Sequence, residues 1–504
     1  MMRVVSLWAP AMVFVIGLLI TQGPVLNPDA LEMGLVGQGF WGDGPEGLDP
    51  HYYPPVFPFL SAVFSVFLPG HAAVLLLSPL AMGGLFMCLW AVVDSQKSAV
   101  WSGWVLVGVM WSSPALRDAT VGADPRAIQL VFLYAGMVLV LLPSSRLKSL
   151  ILGGIAGLLV LTRPEGFLFA GLLLGGALLH WRKKVGWAFG SFACVVVPYL
   201  LLVSRAVGSV SLNSRSWEIK GAALLDFLPV RSLVHLWGAG AQSTPFRDFL
   251  HELGPQNALP KGDFFGSIGA AFVELGGGVF PVLWPAIAGG FWLLLKRRRF
   301  LLLLLAGAVV GSAALYLVPM GRDLALPLNN LLPGVVALHV LACVGILEGI
   351  LLLNRRGLNR GAWGAVVVLI LLCGWDLHEE SNQASPSSYR EASSWMKSEL
   401  PEDVRVASSL GSSPIVRLAD RTWVRIPSRW ERVADWRTES KRPEFLVLTS
   451  TDGLWMLGPP QLFSHGESAE LSAFFRDEKG WVLVIDLRKS SRGGQFHQAP
   501  LVVE

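Results

Sequence analysis

Residues 27–58 read NPDALEMGLVGQGFWGDGPEGLDPHYYPPVFP, and this stretch decides how the chain is read. It directly follows an apolar run at 4–22 and carries Asp29, Glu32, Asp43, Glu46 and Asp49, then His51, Tyr52 and Tyr53 and the pair Pro54-Pro55. Its surroundings make this density of ionisable groups unusual. Of 504 residues, 53% are hydrophobic and only 15% are charged. A soluble protein of that length rarely has such a balance, so the class is a polytopic α-helical membrane protein. Two readings of the first acids stand side by side. Asn27-Pro28-Asp29 is good helix-start chemistry, which makes Asp29 and Glu32 a solvated acidic cap. Alternatively, acids three apart share one helix face. At a membrane boundary a carboxylate is partly desolvated, which raises its pKa and makes it a usable proton acceptor.

A membrane-crossing helix needs roughly 20 apolar residues. Candidate spans are 4–22, 72–93, 99–113, 126–142, 149–161, 166–180, 185–203, 269–295, 300–318, 328–353 and 361–377, about eleven in all. The first lacks a small-x-small cleavage site and is read as a retained signal-anchor. Residues 56–68, VFPFLSAVFSVFL, are long enough to lie along the interface and short for a crossing. Charge parity decides between these. Arg146/Lys148, Arg182–Lys184, Lys296–Arg299 and Arg355/Arg356/Arg360 are the basic clusters, and basic loops stay cytoplasmic. If 56–68 does not cross, all four clusters fall inside together with Arg3; if it crosses, all four fall outside. It is therefore read as interfacial or re-entrant. The expected organisation is a transmembrane domain over 1–377, with outward loops at 23–71 and 204–268, and a soluble outward domain over 378–504. In a bacterium this is an inner-membrane protein with a cytoplasmic N-terminus and a periplasmic C-terminal domain.

The net charge of +4 is too small to define partners. Cys88, Cys194, Cys343 and Cys373 lie in apolar spans without metal-type spacing. In the tail, SSYREASSWMKSEL (387–400) has helical spacing, while RVASSL (405–410), EFLVLTS (444–450) and WVLVIDL (481–487) have strand composition. Alternating helices and strands predict a small α/β module.

Four further segments on the outward side carry chemistry. In WSSPALRDATVGADPRAIQL (111–130), Asp124 precedes Pro125 at the start of a span. It is either a helix N-cap or a second acid across a cavity from Asp29, holding a bound substrate. Thr162-Arg163-Pro164-Glu165-Gly166 interrupts the apolar run 149–180. An Arg and a Glu in the membrane zone are costly unless paired, so mutual neutralisation that fixes the bend is favoured over a binding role. SVSLNSRSWEIKG (209–221) carries Lys220, and LVPMGRDLALPLNNLLPG (317–334) carries Arg322. Both put a cation at the outer surface, where it can neutralise a lipid phosphate or be ordinary flanking charge.

The order of these segments resembles the GT-C superfamily, which includes protein O-mannosyltransferases and bacterial lipid A aminoarabinose transferases. Asp29-Ala30-Leu31-Glu32 stands where that family has an acidic motif, although there the two acids are usually contiguous. His51-Tyr52-Tyr53-Pro54-Pro55-Val56-Phe57-Pro58 is similar to its H/K-x-PP-L-x-P segment, and Gly122-Ala123-Asp124-Pro125 to a second acidic loop. The TRPEG run is frequent there, and Gly321-Arg322-Asp323 with Leu326-Pro327 and Pro333 resembles an RY…LP…P segment that has Tyr in place of Asp323. The resemblance covers most of residues 1–375.

It implies inverting transfer of a sugar from a polyprenyl-phosphate donor on the outer membrane face, to a lipid, glycan or protein acceptor. Asp29 would be the base. Glu32, Asp124, His51 and Tyr53 would line the substrate site, and Lys220, Arg322 and Arg163 would face the phosphate. No cofactor and no nucleic-acid partner are expected. Some branches of the family need a divalent metal, but no ligand cluster in this sequence indicates one, and His51 reads as structural. A transporter or flippase of a lipid-linked or anionic solute also suits broken helices and intramembrane charge. It predicts a matching broken segment in the second half, and the sequence displays none. A scaffold whose tail binds a partner leaves the acidic loop unexplained. A reporter fused after Glu504 is expected to register outside the cytoplasm; a cytoplasmic signal would overturn the parity argument.

Overall fold

The computed structural model describes residues 10–17 and 33–37 in part, 54–207 apart from 69, 95–98, 123 and 164, 272–320 apart from 274, 331–358, and positions 364 and 368. In the tail it describes 387–408, 415–416, 419, 421–425, 444–449, 470–477 and 480–486. Asp29, Glu32, His51, Tyr53, Lys220 and Arg322 lie outside these residues, as do most of 204–268 and of the span expected at 361–377. The described helices through residue 355 belong to one compact unit, and the tail from Ser387 belongs to a second.

The first unit is a helical membrane bundle. Its elements are α1 (Val56–Ser65), α2 (Gly70–Asp94), α3 (Ala99–Trp111), α4 (Pro114–Val121), α5 (Pro125–Leu141), α6 (Arg146–Thr162), α7 (Gly166–Trp181), α8 (Val185–Val207), α9 (Trp284–Arg297), α10 (Arg299–Met320) and α11 (Leu332–Arg355). Among the described residues, Ala72–Val93, Val185–Arg205 and Leu332–Arg355 are each long and apolar enough to cross a membrane alone. The helix α1 has 10 residues. At 1.5 Å per residue it extends about 15 Å, half of a roughly 30 Å hydrocarbon core. It buries Val56, Phe57, Pro58, Ser61 and Ala62, while Phe59 and Phe67 are exposed.

The span expected as one piece at 269–295 is interrupted. Helical residues end at 277, a 3₁₀ turn covers Pro281–Leu283, and α9 starts only at Trp284. Gly276-Gly277-Gly278 weakens the helix, and Pro281 and Pro285 remove backbone donors, so a continuous ladder cannot form. The second half of the chain therefore does contain a break, one that its apolar composition concealed.

Contacts sort the loops to two ends. At one end Lys184 donates to the Ser144 carbonyl (3.0 Å), Trp181 to the Leu142 carbonyl (3.2 Å), and the Arg146 guanidinium lies 3.8 Å from the Trp187 ring centre. His180 stacks on Phe300 at 4.9 Å, and Arg297 pairs with Glu348 at 3.1 Å. Three basic clusters thus meet at one end, and Arg355 and Arg356 finish α11 two turns beyond Glu348. At the opposite end Gly17 lies against Trp111, and the Ser113 hydroxyl approaches the Gly278 carbonyl at 3.3 Å. There too the Tyr134 hydroxyl donates to the Pro333 carbonyl at 2.9 Å, and the Ser312 hydroxyl accepts from the Gly334 amide at 2.8 Å.

Small residues set the closest helix pairs. A Cβ added at Gly290 of α9 would run into the Leu341 carbonyl oxygen of α11, and one at Gly345 into that of Ala286. The pair α6/α8 repeats this, with Gly153 against Ala188 and Gly157 against Val195. Lipid tails are as apolar as leucine, so close backbone approach of this kind is what holds membrane helices together.

The second unit has helix α12 (Ser387–Glu399) and strands β1 (Arg405–Ser408), β2 (Thr422–Arg425), β3 (Phe445–Thr449), β4 (Glu470–Asp477) and β5 (Gly480–Asp486) in the order β2-β1-β3-β5-β4. β2, β1 and β3 are mutually parallel; β5 runs antiparallel to β3 and β4 to β5. Ala392 and Met396 of α12 bury against Val406, Phe445, Val447, Val482 and Val484. Arg421 closes the helix end, donating to the carbonyls of Lys397 (2.9 Å) and Leu400 (2.6 Å). β2 and β4 were not expected. TWVR is only four residues long, and the apolar residues of ELSAFFRD are flanked by charge at both ends.

Gly290→Leu and Gly345→Leu should each lower the melting temperature of the detergent-purified protein, since overpacking costs about 1–3 kcal/mol. Gly349→Ala, where an added Cβ meets nothing within 4 Å, should leave it unchanged. Equal melting temperatures in all three would show that the α9/α11 seam is not tightly packed.

Candidate functional site

The end of the bundle opposite the basic clusters is where the sequence places its acids. Asp124 starts α5 with extended backbone, and Pro125 occupies the first helical position. Its Oδ1 accepts from the Arg126 amide at 2.8 Å, and its Oδ2 accepts from Arg126 Nη1 at 2.9 Å. The Asp124 carbonyl accepts from the Ser78 hydroxyl of α2 at 3.0 Å. Asp124 is thus a buried N-cap that also holds a guanidinium, and Ser78 fixes its depth against α2. The N-cap reading from sequence is what the geometry displays; no contact with Asp29 is described, since Asp29 lies outside the described residues.

Residues that follow the acidic motif in sequence lie in this neighbourhood. Residues 33–34 and 36–37, directly after Glu32, are helical. A Cβ at Gly34 would meet Val74 of α2 and lie 3.3 Å from the Ser61 hydroxyl of α1; one at Gly37 would meet the Pro58 carbonyl. Val74 is one turn before Ser78. The segment following Glu32 therefore sits on α1 and on the turn of α2 that adjoins the Asp124 bond.

At the TRPEG break, α6 ends at Thr162, Arg163 is extended, and α7 begins at Gly166. Arg163 Nε donates to Glu165 Oε1 in an ion pair whose side chains are 18% and 8% exposed. A side chain at Gly166 would strike the Leu159 carbonyl, so the reversal needs glycine there. Leu168 and Phe169 lie against Gly311 of α10, next to Ser312, which holds Gly334. The break thus shares the end of the bundle that Asp124 occupies. Arg117 is buried in α4 and donates to the Trp111 carbonyl at 3.3 Å.

Arg126, Ser78 and Tyr134 were not singled out by sequence. A signal for Arg126 existed: it is a cation at the end of the bundle opposite the basic clusters. Nothing local marks Ser78 or Tyr134, whose partners are 46 and 199 residues away. Among the described residues no three of His, Cys, Asp and Glu are grouped as metal ligands.

No family model and no curated protein matches the sequence. Solved structures do match. ArnT from Cupriavidus metallidurans bound to undecaprenyl phosphate aligns with a TM-score of 0.59 at 14% identity, over 98% of this chain and 99% of that one. The chain shares this fold. The apo state of the same ArnT gives a TM-score of 0.56 at 14% identity over 94% and 97% of the two chains. The Archaeoglobus fulgidus oligosaccharyltransferase, in complex with zinc and sulfate, gives 0.55 at 14% identity over 88% of this chain and 67% of that one. Within this bundle, the Asp124 end is the one that collects the helical residues after Glu32, the TRPEG break and the Gly276–Leu283 break.

Asp124→Ala removes both the cap and the counter-charge of Arg126. Loss of a cap costs about 1 kcal/mol, and stranding one member of a buried pair costs about 3–5 kcal/mol. Asp124→Asn retains the cap acceptor. Tryptophan-fluorescence melting in detergent should rank wild type above Asp124→Asn and Asp124→Asn above Asp124→Ala; no loss in the Ala variant would refute the capping role.

Proposed function

We propose that this protein is a membrane glycosyltransferase that moves a sugar from a polyprenyl-phosphate carrier to an acceptor at the outer face of the membrane. The observation that carries this is the alignment over nearly the full length of both chains with a structure that holds undecaprenyl phosphate. The ordered acidic, Pro-Pro and Arg segments of the sequence agree with it.

In the proposed reaction, Asp29 takes the proton of the acceptor hydroxyl. The hydroxyl oxygen attacks the anomeric carbon, the bond from that carbon to the phosphate oxygen breaks, and the carrier phosphate leaves with the electron pair, inverting the centre. A phosphate is a weak base and needs no general acid, but it does need positive charge. Lys220, Arg322 and Arg163 are the proposed sources. Glu32, Asp124, His51 and Tyr53 are proposed to line the sugar and acceptor site. The helix α1 would lie at the interface beside the carrier tail, with the tail domain outside a bacterial inner membrane. The break before α9 is the feature a transporter reading would use; the full-length likeness to ArnT favours the transferase.

Asp29→Asn should reduce sugar transfer from a polyprenyl-phosphate donor by about 10²–10⁴-fold, the usual contribution of a positioned base. Expression and membrane insertion should stay unchanged. A fully active Asp29→Asn protein would sink the mechanism. Mass spectrometry of envelope glycans and lipids from a deletion strain should reveal the product that disappears.

A further inference from the structure

The basic end of the bundle carries cations that its acids do not balance. Between Asp124 and Glu218 the sequence has one acid, Glu165, and it pairs with Arg163 at the TRPEG break. The same stretch places Arg146 and Lys148 at the start of α6, and Arg182–Lys184 between α7 and α8. Glu348, which α11 brings to this end, pairs with Arg297. Among the described residues, none of Arg146, Lys148, Arg182 and Lys184 is paired with a carboxylate.

Contacts that cross between the two turns hold these cations together. Lys184 Nζ donates to the Ser144 carbonyl at 3.0 Å. Two residues beyond Ser144, the Arg146 guanidinium lies over the Trp187 ring at 3.8 Å, three residues beyond Lys184. Lys148 Nζ donates to the Pro143 carbonyl at 3.1 Å. Each ammonium therefore uses one of its three N–H groups on the loop backbone and keeps two. The ring holds Arg146 by its charge, and among the described residues Arg146 makes no hydrogen bond, so its N–H donors remain available. Arg182 makes the reversal that delivers Lys184 to this loop. Its φ is 46°, a strained conformation for a residue with a side chain, and strain of this kind gathers at binding sites. The helices α6 and α8 add to the field. Gly153 meets Ala188 and Gly157 meets Val195, so the two run parallel and their positive N-terminal ends share this end of the bundle.

The surface beside the cations decides which kind of anion fits. Leu147, next to Arg146, is 67% exposed, and Leu179, in the last turn of α7, is 71% exposed. Trp187 is itself exposed, and tryptophan favours the level of lipid headgroups. A free anion would use the cations alone. A phospholipid uses both parts, its phosphate on the N–H groups and its chains on the leucines.

We propose that Arg146, Lys148 and Lys184, with Trp187 against Arg146, form a site for the phosphate of an anionic phospholipid of the phosphatidylglycerol class, in the leaflet that the basic end faces. The site is separate from the Asp124 end and does not rest on the transferase reading. A lipid held there ties the α5/α6 and α7/α8 turns to one another.

Native mass spectrometry of the full-length protein, released from nanodiscs of mixed phosphatidylglycerol and phosphatidylcholine, tests this by counting the lipids retained. The wild type should retain phosphatidylglycerol in preference. Arg146→Gln and Lys184→Gln should each lower its apparent affinity about fivefold, the usual weight of one basic residue at an anionic surface. Arg146→Lys should keep most of it, because the charge stays. Lys296→Gln, at the α9/α10 turn where Lys296 lies over Trp292, should leave it unchanged. Three results would overturn the site. The wild type could retain both lipids equally. Arg146→Gln and Lys184→Gln could both bind as the wild type does. Lys296→Gln could lose as much as Arg146→Gln, which would make the preference a property of the whole basic end. Displacement of the lipid by an equal concentration of glycerol phosphate in solution would overturn the assignment to a lipid, since chains would then contribute nothing.

Discussion

A helix that stops inside a membrane protein leaves backbone N–H and C=O groups that lipid cannot satisfy, and this bundle is arranged around where its helices stop. At one end the stops bring buried polar residues with them. Asp124 caps α5 there, Arg163 and Glu165 fill the gap between α6 and α7, and the Ser113 hydroxyl reaches the Gly278 carbonyl at the break before α9. Tyr134 and Ser312 satisfy the backbone where α11 begins. At the other end the helices finish in clusters of Lys and Arg, where the Arg146 guanidinium lies over the Trp187 ring and the Lys296 ammonium over the Trp292 ring.

This division creates the conditions for chemistry at the first end. A polar residue that must be buried to satisfy backbone is held rigidly, and a rigid polar residue in a low-dielectric setting interacts strongly with a charged ligand. Asp124 does both jobs: one oxygen caps the helix and the other fixes the Arg126 guanidinium. The tight glycine seams of α6/α8 and α9/α11 give the frame on which these residues sit. They rely on close backbone contact because hydrophobicity does not distinguish a helix from lipid.

The likeness to ArnT and to the oligosaccharyltransferase persists at 14% identity. Apolar positions in a membrane bundle exchange freely as long as size at the seams is kept, so sequence diverges while the fold stays.

The residues alone determined the class of the protein, most of the described helix positions, the tail helix at 387–399 and three of the five described strands, because apolar periodicity and charge are local properties. They also marked Asp124 and the Arg163–Glu165 break, since charge in an apolar run is visible without a structure. They did not reveal the break before α9, where Gly and Pro interrupt a run that stays apolar throughout. Nor did they reveal β2 and β4, which are strands because β1 and β5 are there to pair with them. Only the tertiary structure decided that the fold matches that of ArnT at full length and that Ser78 and Tyr134 lock distant helices. It alone set which turns of α5 and α7 meet, because that depends on how Gly136 and Gly176 let the two helices approach.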